Sequence, residues 1–307
     1  MQLLLSPPGK EIVYSLAMLY LLLGMASLGV GWATRARPHS QLRLQVNAWW
    51  FIFPVLTVSL LLHPAGATLL ILVIGVLGLR ELTPFGGARF APLATATLAA
   101  TIIATYLMPN AAGLLMTLAL CAVATLYFGA ARAKTPITPT TPTTLAWLLW
   151  LILCYSCSFL MRYDSLPLAA GQRLSWLFYL YALTALNDIA QFVSGTVFGR
   201  HRIAPGISPN KTWQGLAGGV AVTVLLSLTL GHYLGLADAR HLALYAVLLS
   251  LGGFCGDMLF SAAKRSYGVK DFSQLIPGHG GILDRVDSLV VTAPLLYFLI
   301  THFESFK

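Results

Sequence analysis

Apolar residues in this chain run in long unbroken blocks separated by short polar connections. Ten such runs are readable, at approximately 11–33, 47–62, 65–79, 92–108, 111–131, 143–161, 174–197, 215–235, 241–262 and 287–303. Most approach the ~20 residues that cross a bilayer as a helix. The runs at 47–62 and 65–79 are short enough to form one re-entrant hairpin. The pattern predicts an all-α, polytopic integral membrane protein with about eight to ten transmembrane helices.

Composition leaves no room for a soluble alternative. Hydrophobic residues make up 57% of the 307 and only 9% are charged, with a mean hydropathy of +0.77. The first run is too long for a removed signal peptide and lacks the basic start and small-residue cleavage pattern, so it reads as a permanent helix. Cys121, Cys154, Cys157 and Cys255 all fall inside expected spans, against extracellular disulfides. The Cys154–Cys157 spacing resembles half a zinc site, but without a second pair or a nearby His it reads as apolar packing.

Charge gives the orientation. With the N-terminus outside, Arg35, Arg37, Arg43, Arg80, Arg89, Arg132, Lys134, Arg200, Arg202, Lys211, Lys264, Arg265, Lys270 and Arg285 lie on cytoplasmic connections, and only Lys10, Arg162, Arg173, Arg240 and Lys307 remain of the 19 cations. Basic loops beside an anionic leaflet account for the net charge of +9. No nucleic-acid motif is visible, so no nucleic-acid partner is expected. The expected location is a multi-pass position in the cell inner (cytoplasmic) membrane if the source is bacterial, with membrane lipids as surroundings.

Three regions follow from the distribution of polar residues. Residues 1–134 carry almost no polar chemistry inside their runs and read as a transmembrane scaffold. Residues 135–144, rich in Thr and Pro, read as a linker whose prolines do not continue a helix. Residues 145–307 read as the catalytic transmembrane domain: Asp188, Asp257, Asp271, Asp284 and Asp287, five of only ten acidic residues, lie there.

Within that region three segments carry chemistry. Asp188 interrupts the run at 174–197, where a carboxylate costs about 2.5–3.5 kcal/mol unless it faces a polar cavity or a partner. Gln191 and Gly195 follow at i+3 and i+7, extending a polar stripe on one helical face. The connection 198–215 cannot form a long helix because of its prolines and glycines. Its Ser208, Lys211 and Thr212 are candidates to hold phosphate oxygens, whereas Arg200, His201 and Arg202 read as ordinary positive-inside charge.

The third segment is Ser261 to Asp287. Asp257, Ser261, Lys264 and Arg265 stand at i, i+4, i+7 and i+8, one stripe of about two turns. After Lys270 and Asp271, the turn Pro277-Gly-His-Gly-Gly281 precedes Asp284, Arg285 and Asp287. Gly280 and Gly281 permit close backbone approach, and His279 suits a hydrogen bond to phosphate or the ordering of the turn. Asp257 and Asp284 brought together would make an oxygen-rich site suited to Mg²⁺, supported by Asp287 and Asp188. Lys211, Ser261, Lys264, Arg265, Lys270 and Arg285 would hold phosphates around it, the parts that nucleotidyl or phosphoryl transfer requires.

At these residues the chain resembles the phosphatidate cytidylyltransferase, or CDP-diacylglycerol synthase, family. The family signature runs Ser-x-apolar-Lys-Arg, four residues, Lys-Asp, then Pro-x-His-Gly-Gly-apolar-x-Asp-Arg-apolar-Asp, and residues 261–287 match it apart from Ala263, where a larger apolar residue is usual. Phe198-Gly-Arg200, Ile207 to Gly215 and Gly256-Asp257 resemble two further family segments, so the likeness covers roughly 180–295. After Asp188 the family's bacterial members commonly place small residues and then Tyr, where this chain has Ile189, Ala190, Gln191 and Phe192.

The resemblance implies transfer of a cytidylyl group from CTP to phosphatidate or a related lipid phosphate at the cytoplasmic face, yielding CDP-diacylglycerol and pyrophosphate. It also implies Mg²⁺, a bound monovalent cation and a homodimer. Two rival readings are weaker. A CTP-dependent kinase of polyprenol or another lipid alcohol is disfavoured by the full signature, and an ion-coupled transporter by the lack of matching broken or charged helices in the first half.

Overall fold

The computed structural model describes residues 9–35, 41–108, 140–276, 278 and 280–303. Helices α1 (Lys10–Ala33), α2 (Gln41–Leu61), α3 (Ala65–Gly86) and α4 (Phe90–Leu107) precede α5 (Thr140–Arg162) and α6 (Ala170–Phe198). A two-stranded antiparallel hairpin, β1 (Arg202–Ala204) and β2 (Ser208–Thr212), leads into α7 (Trp213–Tyr233) and α8 (Ala239–Ser266). The described chain ends with the short α9 (Leu283–Val286) and α10 (Leu289–Phe303).

Among the described residues, seven segments are long and apolar enough to cross a membrane: α1, α3, α4, α7, α8, residues 142–165 and residues 283–303. A shorter apolar stretch, Val46–Leu61, lies in α2. The 29-residue α6 is longer than any of these but less apolar, because Thr184, Asn187, Asp188 and Gln191 fall along it. The protein is therefore an all-α polytopic membrane protein. The expected span at 111–131 and most of the expected linker lie outside the described residues, and α5 already begins at Thr140, within the expected linker. The run expected to stop at residue 79 continues through Arg80 and Glu81 to Gly86, since a charged pair does not break a helix whose backbone bonds are internally satisfied.

The densest packing is α6 on α7, followed by α7 on α8 and α3 on α5, and α10 also packs against both α8 and α5. α7 can approach α6 and α8 because the positions it buries, Gly215, Gly219, Thr223, Ser227 and Gly231, are all small and recur every four residues. Polar atoms in this core are matched across helices. Asn187 Oδ1 accepts from Thr223 Oγ1 of α7 at 3.1 Å, from Ser250 Oγ of α8 at 2.6 Å and from Gln191 Nε2 at 3.2 Å. Thr184 and Thr292 pair at 3.0 Å, tying α6 to α10. Cys154 and Cys157 are free and buried in α5. One aliphatic and aromatic core, including Trp150, Phe159, Tyr163, Trp176, Tyr245 and Phe260, fills the remaining space.

Chain connectivity places the polar stripes together. The C-terminal ends of α6 and α8 and the N-terminal ends of α7 and α9 meet at one end of the bundle, joined by the hairpin and by the 267–282 connection.

Candidate active site

Two lysine–carboxylate pairs form the centre of that end. Lys211, on β2, sets its Nζ 2.5 Å from Asp257 Oδ2 on α8. Lys264, two turns beyond Asp257, sets its Nζ 2.6 Å from Asp284 Oδ1 at the start of α9. The pairs differ in exposure: the Lys211 and Asp257 side chains are 21% and 22% exposed, those of Lys264 and Asp284 only 11% and 3%. The first pair is open to a ligand and the second is sealed.

Around the open pair the carboxylates accumulate. Asp188 Oδ1 accepts from Ser288 Oγ at 3.0 Å, and Asp287 Oδ1 from the Ser288 backbone N–H at 2.8 Å, so one serine fixes both. Asp188 and Asp287 each lie within electrostatic reach of Asp257 and of Arg285. Ser261 Oγ donates to Asp257 Oδ1 at 3.2 Å, as the i, i+4 spacing predicts. The close approach depends on Gly256, where a Cβ would strike the Asp287 carbonyl; any side chain there would push α8 away from the turn carrying Asp287. Three carboxylates face Lys211 and Arg285, an excess of negative charge that favours a further cation.

The site brings together most of the expected residues and gives several a different setting. The expected metal pair of Asp257 and Asp284 faces two different lysines. Asp284 has further partners beyond Lys264: its Oδ2 accepts the backbone N–H of Gly281 at 2.9 Å and of Phe272 at 3.3 Å. Asp287, expected only in support, takes a place beside Asp257 and Asp188. Arg265 clamps connections, donating from Nε to the Ile207 carbonyl at 3.1 Å and from Nη1 to the Val269 carbonyl at 3.2 Å.

Thr212 caps α7, its Oγ1 accepting the Gly215 N–H at 3.1 Å. Ser208 lies half-buried at the start of β2, while Lys270 and Arg285 are exposed. Gly280 adopts φ +78°, a conformation that favours glycine, beside Asp284. His279 lies outside the described residues. Gln191 does not extend an open stripe: it is buried, donates to the Ser250 carbonyl at 3.3 Å and receives Lys211 Nζ at 3.5 Å.

The first half also reaches this end of the bundle, through Glu81. It is 5% exposed on α3, and its carboxylate accepts the N–H groups of Ile282 at 2.8 Å and Leu283 at 3.0 Å and the Ser273 hydroxyl at 2.7 Å. The reasoning applied to Asp188, that a carboxylate inside an apolar run must have a partner, would have found it. Two other supports had no such signal. Gln214 Oε1 accepts the N–H groups of Arg200 and His201, and Ser288 joins two aspartates.

Burial alone would lower the pKa of Lys211, but the adjacent Asp257 carboxylate outweighs it and, with Asp188 and Asp287, raises the ammonium above a lysine's usual 10.5. A raised lysine stabilises the fold fully below 10.5 and loses that contribution as pH climbs through the folded value. The lysine-dependent part of stability is therefore expected to stay flat through neutral and mildly alkaline pH and to fall only beyond 10.5. Thermal unfolding of wild type and Lys211→Met across pH 7–11.5 checks this, since the gap between them should close only at the top of the range.

The model of the family described as "Cytidylyltransferase family" matches residues 43–303. The chain belongs to the cytidylyltransferase family. Among similar proteins, the phosphatidate cytidylyltransferase of Brucella suis biovar 1 is 42% identical over 119 residues, 39% of this chain and 44% of the relative. That of Staphylococcus epidermidis (strain ATCC 35984) is 37% identical over 131 residues, 42% of this chain and 50% of the relative. An uncharacterised Escherichia coli K12 protein, YnbB, is 46% identical over 124 residues, 40% of this chain and 42% of the relative. The chain spans half or less of the length of these curated relatives.

Proposed function

We propose that the protein transfers a cytidylyl group from CTP to phosphatidate or a related lipid phosphate at the cytoplasmic face of the membrane. The observation that carries this reading is the convergence of Asp188, Asp257 and Asp287 on Lys211 at the mouth of a bilayer-spanning bundle. A lipid phosphate reaches that mouth from the bilayer and CTP from water.

The reaction needs little proton chemistry. An ionised lipid phosphate oxygen forms a bond to the α-phosphorus of CTP, and the bond from that phosphorus to the bridging oxygen of the β-phosphate breaks, releasing pyrophosphate. Two polyanions must meet, so the barrier is mainly electrostatic. Lys211, Arg285 and Lys270 supply cations that bind the phosphates. The sealed Lys264–Asp284 pair holds the turn in place.

Mg²⁺ fits the residues present. The donors are hard carboxylate oxygens, and Mg²⁺ sites commonly use one or two carboxylates completed by water and substrate phosphates. Asp257 and Asp287 would hold the ion, with Asp188 behind them, and bound there it would neutralise charge on the triphosphate.

The test uses purified protein in detergent with phosphatidate, Mg²⁺ and CTP labelled either in the cytosine or at the γ-phosphate. Cytosine label entering the lipid, with γ-label released as pyrophosphate, is the expected result. Transfer of γ-label alone would make the protein a lipid kinase, and transfer of neither would end the reading.

A further inference from the structure

The connection between α8 and α9 carries the densest part of the signature, yet it is not held by its own residues alone. Three consecutive backbone N–H groups, those of Gly281, Ile282 and Leu283, all donate to carboxylates. The first goes to Asp284 within the same turn. The next two go to Glu81, which comes from α3, some two hundred residues earlier. Glu81 also takes the Ser273 hydroxyl at 2.7 Å, and Ser273 Oγ in turn accepts the Leu275 N–H at 3.3 Å. The middle of the connection and its junction with α9 are therefore tied to one side chain of another helix.

We propose that Glu81 is a positioning residue for cytidylyl transfer, holding the 273–283 connection so that Asp284 meets Lys264 and Asp287 meets Asp257. The proposal rests on the reading of the site given above. A carboxylate that is 5% exposed inside an apolar helix is costly unless its charge is answered. Among the described residues Glu81 forms no ion pair; backbone and hydroxyl donors answer it, arranged at Oε1 and Oε2 in a way only the folded connection provides. With three protein donors on its two oxygens, Glu81 acts through the residues it fixes.

Gly281 is a second mark of the same contact. A Cβ built there would fall 2.5 Å from Glu81 Oε1 and closer still to Oε2, so the Gly-Gly turn is cut to fit the α3 carboxylate as well as to approach a ligand. The N-terminal half thus reaches the reaction centre through Glu81.

Glu81→Gln tests this without removing volume. The amide keeps one acceptor oxygen and turns a donor toward one of the two N–H groups, so at least one of the three bonds is lost. Thr83→Ala, an exposed change on the same helix whose hydroxyl only bonds the Leu79 carbonyl, is the control. Hydrogen exchange at residues 281–284 is expected to quicken at least tenfold in Glu81→Gln while α8 and α10 keep wild-type rates, and kcat for cytidine incorporation to fall about a hundredfold, the scale of a ~1 Å misplacement. The control should match wild type in both. Unchanged exchange at 281–284, or exchange raised equally through α8 and α10, overturns the proposal, the latter because it marks a general loss of stability. If wild type incorporates no cytidine, the reading of the function fails and the exchange result alone decides whether Glu81 holds the connection.

Discussion

Asp257→Ala is expected to lower cytidine incorporation by about a thousandfold, the upper range for removing one preorganised electrostatic group from a reacting centre, while the protein stays folded in the membrane. The fold should tolerate the change because Asp257 is 22% exposed and because Lys211, once released, still has Asp188 and Asp287 nearby and Gln191 Oε1 at 3.5 Å. Chemistry should not tolerate it, since Asp257 lies within electrostatic reach of both Asp188 and Asp287 and is paired with Lys211. Asp287→Ala should give a loss of similar size. The measurement is initial rate against Mg²⁺ and CTP concentration, with unfolding temperature recorded alongside. If Asp257→Ala retains a fifth of wild-type activity at saturating Mg²⁺, the carboxylate does not hold the ion.

Much of this was legible because the chemistry sits in a lipid-facing chain, where polar residues stand out. The long runs gave the helices, and the i, i+4, i+7 spacing of Asp257, Ser261 and Lys264 gave a stripe whose first contact, Ser261 to Asp257, is present at 3.2 Å. Partner choice was not legible. Asp284 and Asp287 stand three residues apart and look equivalent in the sequence, yet α9 turns one onto Lys264 and the other toward Asp257. That division depends on where the chain bends between α9 and α10, which helical spacing does not specify. Gln191 looked like part of an open polar face, but it is the small residues of α7 that bring a neighbour close enough to bury it. That Glu81 needs a partner is readable from its place in an apolar run, but which partner is not, because backbone N–H groups are supplied by every residue type and no motif records them.

The sealed pair is where stability, rather than turnover, should respond most. Asp284→Ala is expected to destabilise the protein by about 3–5 kcal/mol, the usual result of removing one member of a buried ion pair. Three groups lose their acceptor at once: the Lys264 ammonium and the N–H groups of Phe272 and Gly281. Activity will vanish with the turn, so activity alone cannot separate this residue from Asp257. The double replacement Lys264→Met with Asp284→Leu can. It removes the stranded charge and fills the space with apolar side chains, which often costs little or nothing relative to the pair itself. The two backbone N–H groups remain unanswered, at about 1–3 kcal/mol for each unsatisfied buried group. Recovery of part, but not all, of the lost stability is therefore expected in denaturant titrations of the detergent-solubilised protein, with no recovery of cytidine incorporation. An Asp284→Ala protein within 1 kcal/mol of wild type would show that this aspartate is not the anchor of the turn and would return it to the list of candidate metal ligands.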